Sequence, residues 1–160
     1  MGKETKTNAM RILDRSKVKY TEETYTVDEF TDGLSLAKFL GHDPAQSFKT
    51  LVTVGKSRNY FVFVIPVAEE VDFKTAAKAV GEKSVEMVPV KDINGITGYI
   101  RGGCSPLGMK KLFTTVIDST AMNFDEIYIS GGRLGSHIKV NPADLAKVIN
   151  AKFEPITAKA

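Results

Sequence analysis

The chain of 160 residues contains no tryptophan, one cysteine and two histidines. A single thiol, Cys104, excludes an internal disulfide and fits a reducing compartment. His42 and His137, with no cysteine pair, argue against a structural zinc centre, and no metal is expected. The histidines also fall at no Ser-His-Asp or Cys-His spacing that would supply a protein nucleophile. The longest apolar run, residues 60–68, is interrupted by Pro66 and falls far short of the ~20 residues of a membrane span. The first seven residues hold no apolar signal region, and Lys6 stands where a myristoylation pattern requires Ser or Thr. These absences predict a cytoplasmic protein with no membrane attachment. A dominant charge is missing too: 22 Lys and Arg against 19 Asp and Glu leave a net charge of +3. That balance suits a phosphate-bearing partner but lies well below a dedicated duplex binder.

What is present reads as one domain over residues 1–160, 42% hydrophobic and 26% charged. Helices are predicted over residues 8–17 (Thr5 or Thr7 as N-cap), 34–40 (closed by Gly41), 72–80 (Asp72 as N-cap) and 91–96. Asn141-Pro142 opens a terminal helix reaching about residue 149. Strands are predicted over residues 19–27, 47–54, 60–65, 85–90, 110–117, 124–129 and 136–140. Residues 61–65 are apolar on both faces and mark a central strand. The pattern predicts an α+β fold: a mixed, mostly antiparallel, barrel-like sheet of about seven strands flanked by helices.

Two glycine-rich loops each follow an apolar run: Gly102-Gly103-Cys104-Ser105-Pro106-Leu107-Gly108 and Ser130-Gly131-Gly132-Arg133-Leu134-Gly135. Either they are two tight turns, or they face one another and line a pocket with amide N–H groups. Neither is a dinucleotide fingerprint or a P-loop. Lys49, between Phe48 and the apolar residues 51–54, reads either as a snorkelling edge lysine or as a pocket ammonium for a phosphate or carbonyl oxygen. Thr50 then offers its hydroxyl on the opposite face. Ser130 is a turn-forming hydroxyl or a pocket-lining one. Cys104 reads as packing. Lys110, Lys111 and Arg133 flank the loops as solvated charge or as phosphate contacts.

Taken in order, Ser47-Phe48-Lys49-Thr50-Leu51, the first glycine loop and Tyr128-Ile129-Ser130-Gly131-Gly132 resemble the YbaK/EbsC family of aminoacyl-tRNA deacylases. Ala76-Ala77-Lys78-Ala79-Val80-Gly81, Val85-Glu86-Met87, Thr97-Gly98-Tyr99 and Asp144-Leu145-Ala146-Lys147-Val148 extend the likeness over nearly the whole chain. The resemblance implies the fold of the editing domain inserted in bacterial prolyl-tRNA synthetase and a free-standing Cys-tRNA(Pro) deacylase, with Cys-tRNA(Cys) as a further substrate. It implies a catalytic set of Lys49, Gly103 and Ser130, with Tyr20, Thr50, Gly102, Gly131 and Arg133 binding substrate and no cofactor. Leu134 departs from the family, which carries a basic residue there. The implied partners are the aminoacyl-tRNA 3′ end and prolyl-tRNA synthetase, and the implied nucleophile is the substrate's own thiol. A deacylase for Ala-tRNA(Pro) or another small misacylated tRNA, and a non-catalytic tRNA-binding module, are the alternatives.

Overall fold

Short side chains with acceptor oxygens start four of the helices. In the computed structural model, which describes residues 6–26, 32–100 and 103–158, α1 (Asn8–Arg15) is capped by Thr7 and α2 (Gly33–Leu40) by Asp32. Asp72 caps α3 (Phe73–Ala79), and Asn141 caps α5 (Pro142–Ile149) with Pro142 in its first turn. Each cap oxygen accepts from a backbone N–H two or three residues on, which satisfies a donor that the helix itself leaves free. Gly41 (φ 75°) ends α2, and Gly98 (φ 88°) ends α4 (Val90–Thr97), both left-handed. Eight-residue helices do not persist alone in water. α5 is held by Leu145, Ala146 and Ile149, all buried on one face.

Eight strands form two sheets among the described residues. β1 (Tyr20–Thr24), β6 (Ile127–Ser130) and β7 (Ser136–Val140) make a three-stranded antiparallel sheet with β7 in the middle. β2 (Phe48–Gly55), β3 (Tyr60–Pro66), β4 (Val85–Met87), β5 (Thr114–Asp118) and β8 (Lys152–Glu154) make the other, in the order β4-β2-β3-β5-β8. β3 is central, as its two apolar faces predict. Val62 and Val64 enter the core between the sheets, under α1 and α5, whereas Phe61, Phe63 and Ile65 pack against α3.

Several expectations change. The strand pairing is mixed and mostly antiparallel, as expected, with β3–β5 and β5–β8 as the parallel pairs, but the strands divide into two sheets rather than one. Residues 110–113 are not strand: the Lys110 amide is held by the Thr97 carbonyl at 3.0 Å, and β5 begins at Thr114. β8 was not visible in the pattern, being three residues long. The barrel does not close. Among the described residues, the sheets join through a single parallel bridge, Ser47 with Tyr128, while β1 pairs only with β7.

Asp118, 1% exposed, ends β5, where one carboxylate oxygen accepts from Ile156 N–H at 3.0 Å and the other from the Thr120 amide and hydroxyl. It ties the C-terminal segment to the sheet. Asp118→Ala leaves a buried amide unpaired and is expected to lower stability by about 2–3 kcal/mol in urea unfolding.

Candidate active site

The bridge between the sheets decides which residues share a face. Tyr128 N–H donates to the Gln46 carbonyl at 3.0 Å, and the Gln46 side chain donates to the Glu126 carbonyl at 2.8 Å. Phe48 and Ile129 both enter the inter-sheet core. By strand alternation Lys49 and Ser130, one residue further on each strand, point away from that core. Lys49 is half-buried and has no hydrogen-bond or ion-pair partner among the described residues. Thr50 turns to the opposite face, as expected.

The two glycine loops do meet. A Cβ placed on Gly103 would lie 3.0 Å from the Arg133 Cα and 3.1 Å from the Leu134 nitrogen, so the contact is backbone to backbone and any side chain there would push the second loop back. Two further elements hold the loops together. Tyr99 donates its hydroxyl to the Leu107 carbonyl in the first loop and lays its ring against Gly132 in the second. At the start of α1, Thr7 donates to the Gly131 carbonyl and Asn8 to the Gly108 carbonyl at 3.2 Å. The Gly103 N–H is not free for a ligand, since it donates to the Ile100 carbonyl at 2.9 Å. Ser130 Oγ accepts from Gly132 N–H at 3.2 Å, and Gly131 N–H donates to the Ser136 carbonyl. Gly102 lies outside the described residues.

Three of the expected substrate contacts are not brought to this face: Thr50, which lies opposite Val64 on the inter-sheet core side, Tyr20 and the Arg133 side chain. Tyr20 pairs with Val140 and packs on the inter-sheet core side of β1. It borders an open groove of about 690 Å³ together with Asp14, Glu22 and Glu126, whose carboxylates repel a phosphate. The Arg133 guanidinium pairs with Glu22 at 3.2 Å, on the same face of β1 as Tyr20. Lys110 donates to the Gly95 carbonyl.

The sequence reading missed a polar cluster on the Lys49–Ser130 face. Ser130 lies opposite His137, and Tyr128 opposite Lys139, across the β6–β7 pair. His42, just beyond the α2 C-cap, stacks on Tyr128 with centroids 3.9 Å apart and planes at 8°. Its Nε2 lies 2.7 Å from Glu23 Oε1, and its side chain is 7% exposed. Glu23 is the β1 partner of His137, and the Tyr25 ring lies 5.0 Å from that of His137. Burial, then the neighbouring His42, pulls the His137 pKa down to about 4, so it is neutral at pH 7. Each of these residues is a singleton in the sequence. The one signal that could have found them is the alternation of Tyr128 with Ser130 and of His137 with Lys139.

A model of the aminoacyl-tRNA editing domain matches residues 22–148. The chain is 44% identical over 155 residues to EbsC of Enterococcus faecalis, provisionally named a Cys-tRNA(Pro)/Cys-tRNA(Cys) deacylase; the match spans 96% of this chain and 94% of that one. A crystal structure provisionally described as a trans-editing enzyme for prolyl-tRNA synthetase superposes with a TM-score of 0.79 at 19% identity, over 98% of this chain and all of the other. A hypothetical protein's crystal structure gives 0.85 at 18% identity, over 95% of this chain and all of the other. The fold is that of an aminoacyl-tRNA editing domain. The chain belongs to the aminoacyl-tRNA editing domain family, and its activity is that of an aminoacyl-tRNA deacylase.

Cys104 is poorly suited to act as a nucleophile. Burial pushes its thiol up to about 11, against a small opposing pull from the Thr97 hydroxyl. At pH 8 only about one such thiol in a thousand is ionised. Labelling with a thiol-specific disulfide reagent is expected to be at least about 10-fold slower in the native than in the urea-unfolded protein.

Proposed function

We propose that this deacylase removes cysteine from mischarged tRNA(Pro) in trans, with prolyl-tRNA synthetase presenting the substrate and Cys-tRNA(Cys) as a further substrate. The observation that carries the reading is Lys49: a half-buried ammonium without a partner among the described residues, one strand position past the core residue Phe48 as Ser130 is past Ile129, on a chain 44% identical to a relative provisionally named for those two substrates. A synthetase pocket separates ligands of near-equal size by only about 1–3 kcal/mol, so cysteine mistaken for proline calls for a second, hydrolytic sieve.

The bond to be broken is an activated ester, and the protein's task is to orient it and to stabilise charge on the carbonyl oxygen. In this reading Lys49 holds the terminal phosphate or the ester oxygen, and Ser130 directs its hydroxyl toward the acyl group. Gly103 and Gly131 shape the wall as backbone. The substrate's sulfur attacks its own carbonyl carbon and forms the C–S bond of a thiolactone. The ester C–O bond breaks, and the thiol proton passes to the departing ribose oxygen. The high thiol pKa of Cys104 supports a nucleophile brought by the substrate.

Lys49→Ala is expected to lower Cys-tRNA(Pro) deacylation by a factor on the order of 10² or more, the loss that follows removal of one transition-state donor, with an unchanged unfolding midpoint. Full activity in that variant overturns the role of Lys49. Ala- and Ser-charged tRNA(Pro) and an S-blocked cysteinyl substrate belong in the same assay. Faster release of alanine than of cysteine overturns the substrate reading, and undiminished hydrolysis of the blocked ester overturns the thiol route.

A further inference from the structure

The cluster beside the ester site has a composition that deacylation does not use. Glu23, His42 and His137 each place one ligand atom within 4.8 Å of the other two. Both His42 Nδ1 and His137 Nδ1 are buried and have no hydrogen-bond partner among the described residues. Leaving a buried polar atom unpaired costs about 1–3 kcal/mol, and two such atoms in adjacent imidazoles are uncommon in a folded chain. From these observations we infer that Glu23, His42 and His137 form a binding site for one divalent transition-metal ion.

Three properties of the cluster fit such an ion. The donor set, two imidazoles and one carboxylate, is the one that borderline cations such as zinc, cobalt and nickel take, whereas magnesium and calcium prefer oxygen throughout. The imidazoles are held in place from outside the cluster: His42 by its stack on Tyr128, His137 by the β6–β7 pairing opposite Ser130. Ligand atoms around a tetrahedral zinc, each at about 2.0–2.2 Å, sit roughly 3.3–3.6 Å apart, so the widest separation here must close by about 1 Å. Glu23 Oε1 already lies 2.7 Å from His42 Nε2, and its side chain, 46% exposed, is free to adjust to the two imidazoles. Three protein ligands leave a fourth position for water or a ligand sulfur or oxygen, the arrangement of reactive rather than structural zinc sites. The sequence argument against zinc addressed cysteine-rich structural sites, and the carboxylate enters only through the pairing of Glu23 with His137.

Titration of tag-free protein with cobalt(II), read by its visible d–d absorption, and with zinc(II), read by competition with a chromophoric chelator, tests the site without any tRNA. Failure here is therefore separable from failure of the deacylase reading. One ion per chain is expected. Glu23→Gln, His42→Gln and His137→Gln should each weaken binding by more than about 10-fold, since loss of even an outer-shell partner costs 10–100-fold. Circular dichroism checks that each variant is folded, and the partly exposed Glu23→Gln keeps the test decisive if a histidine variant is not. Absence of a one-to-one complex with either metal overturns the site, as does binding that Glu23→Gln leaves unchanged.

Discussion

The arrangement depends on one short seam. Where residues 46–48 run beside residues 126–129, a single parallel bridge and two hydrogen bonds from the Gln46 region couple sheets that are otherwise separate. The same segment continues into β3 territory, since Val67 N–H donates to the Ser47 carbonyl at 2.8 Å. Because β4 covers only the far end of β2, from Thr53 to Gly55, the Lys49 end of that strand is left to meet β6. Alternation then does the rest. Phe48 and Ile129 are committed to the core, so Lys49 and Ser130 must face the other way. A slip of one residue in this seam would bury the lysine and expose the phenylalanine, which is why burial enforces the register.

The second constraint is the backbone contact between the glycine loops. Gly103 packs tightly against the Arg133 and Leu134 backbone, and Tyr99, Thr7 and Asn8 tie the two loops together. The loop amides are largely spent on the fold: Gly103 on Ile100, Gly131 on Ser136, Gly132 on Ser130. Few of the loop amides are therefore left for a ligand. A glycine-rich loop was readable as a place of close approach. That the approaching group is another loop was not.

What could be read from the sequence was local. Thr7, Asp32, Asp72 and Asn141 act on donors two or three residues away, and Gly41 ends its helix by its own φ, so one-dimensional pattern suffices to find them. The central place of β3 follows from its double apolar face. The parallel pairings of β3 with β5 and of β5 with β8 depend on partners far along the chain, and nothing within a strand announces its neighbour's direction. Tyr20 illustrates the limit most clearly. Its presence on a strand near the site was legible, but its face is set by pairing with Val140, and that pairing turns it away. Glu23, three residues later, lands on the functional face for the same reason, although no spacing rule would have joined it to His42 or His137.

The electrostatics of the face follow from this packing. Burial and the nearby His42 keep His137 uncharged at neutral pH, so it offers a lone pair and no repulsion to a cationic neighbour. Lys139 sits 5.7 Å over the Tyr128 ring, whose other contact is the stacked His42. Positive charge on these strand faces comes from lysines, Lys49 without a partner among the described residues and Lys139 against an aromatic face. Lone pairs are concentrated at the two imidazoles, whose Nδ1 atoms are buried without a partner among the described residues. Hydrolysis of an activated ester needs the first group, through stabilisation of developing negative charge. The second offers lone pairs to a hydrogen-bond donor, a proton or a metal ion, with His137 opposite Ser130 across the β6–β7 pair.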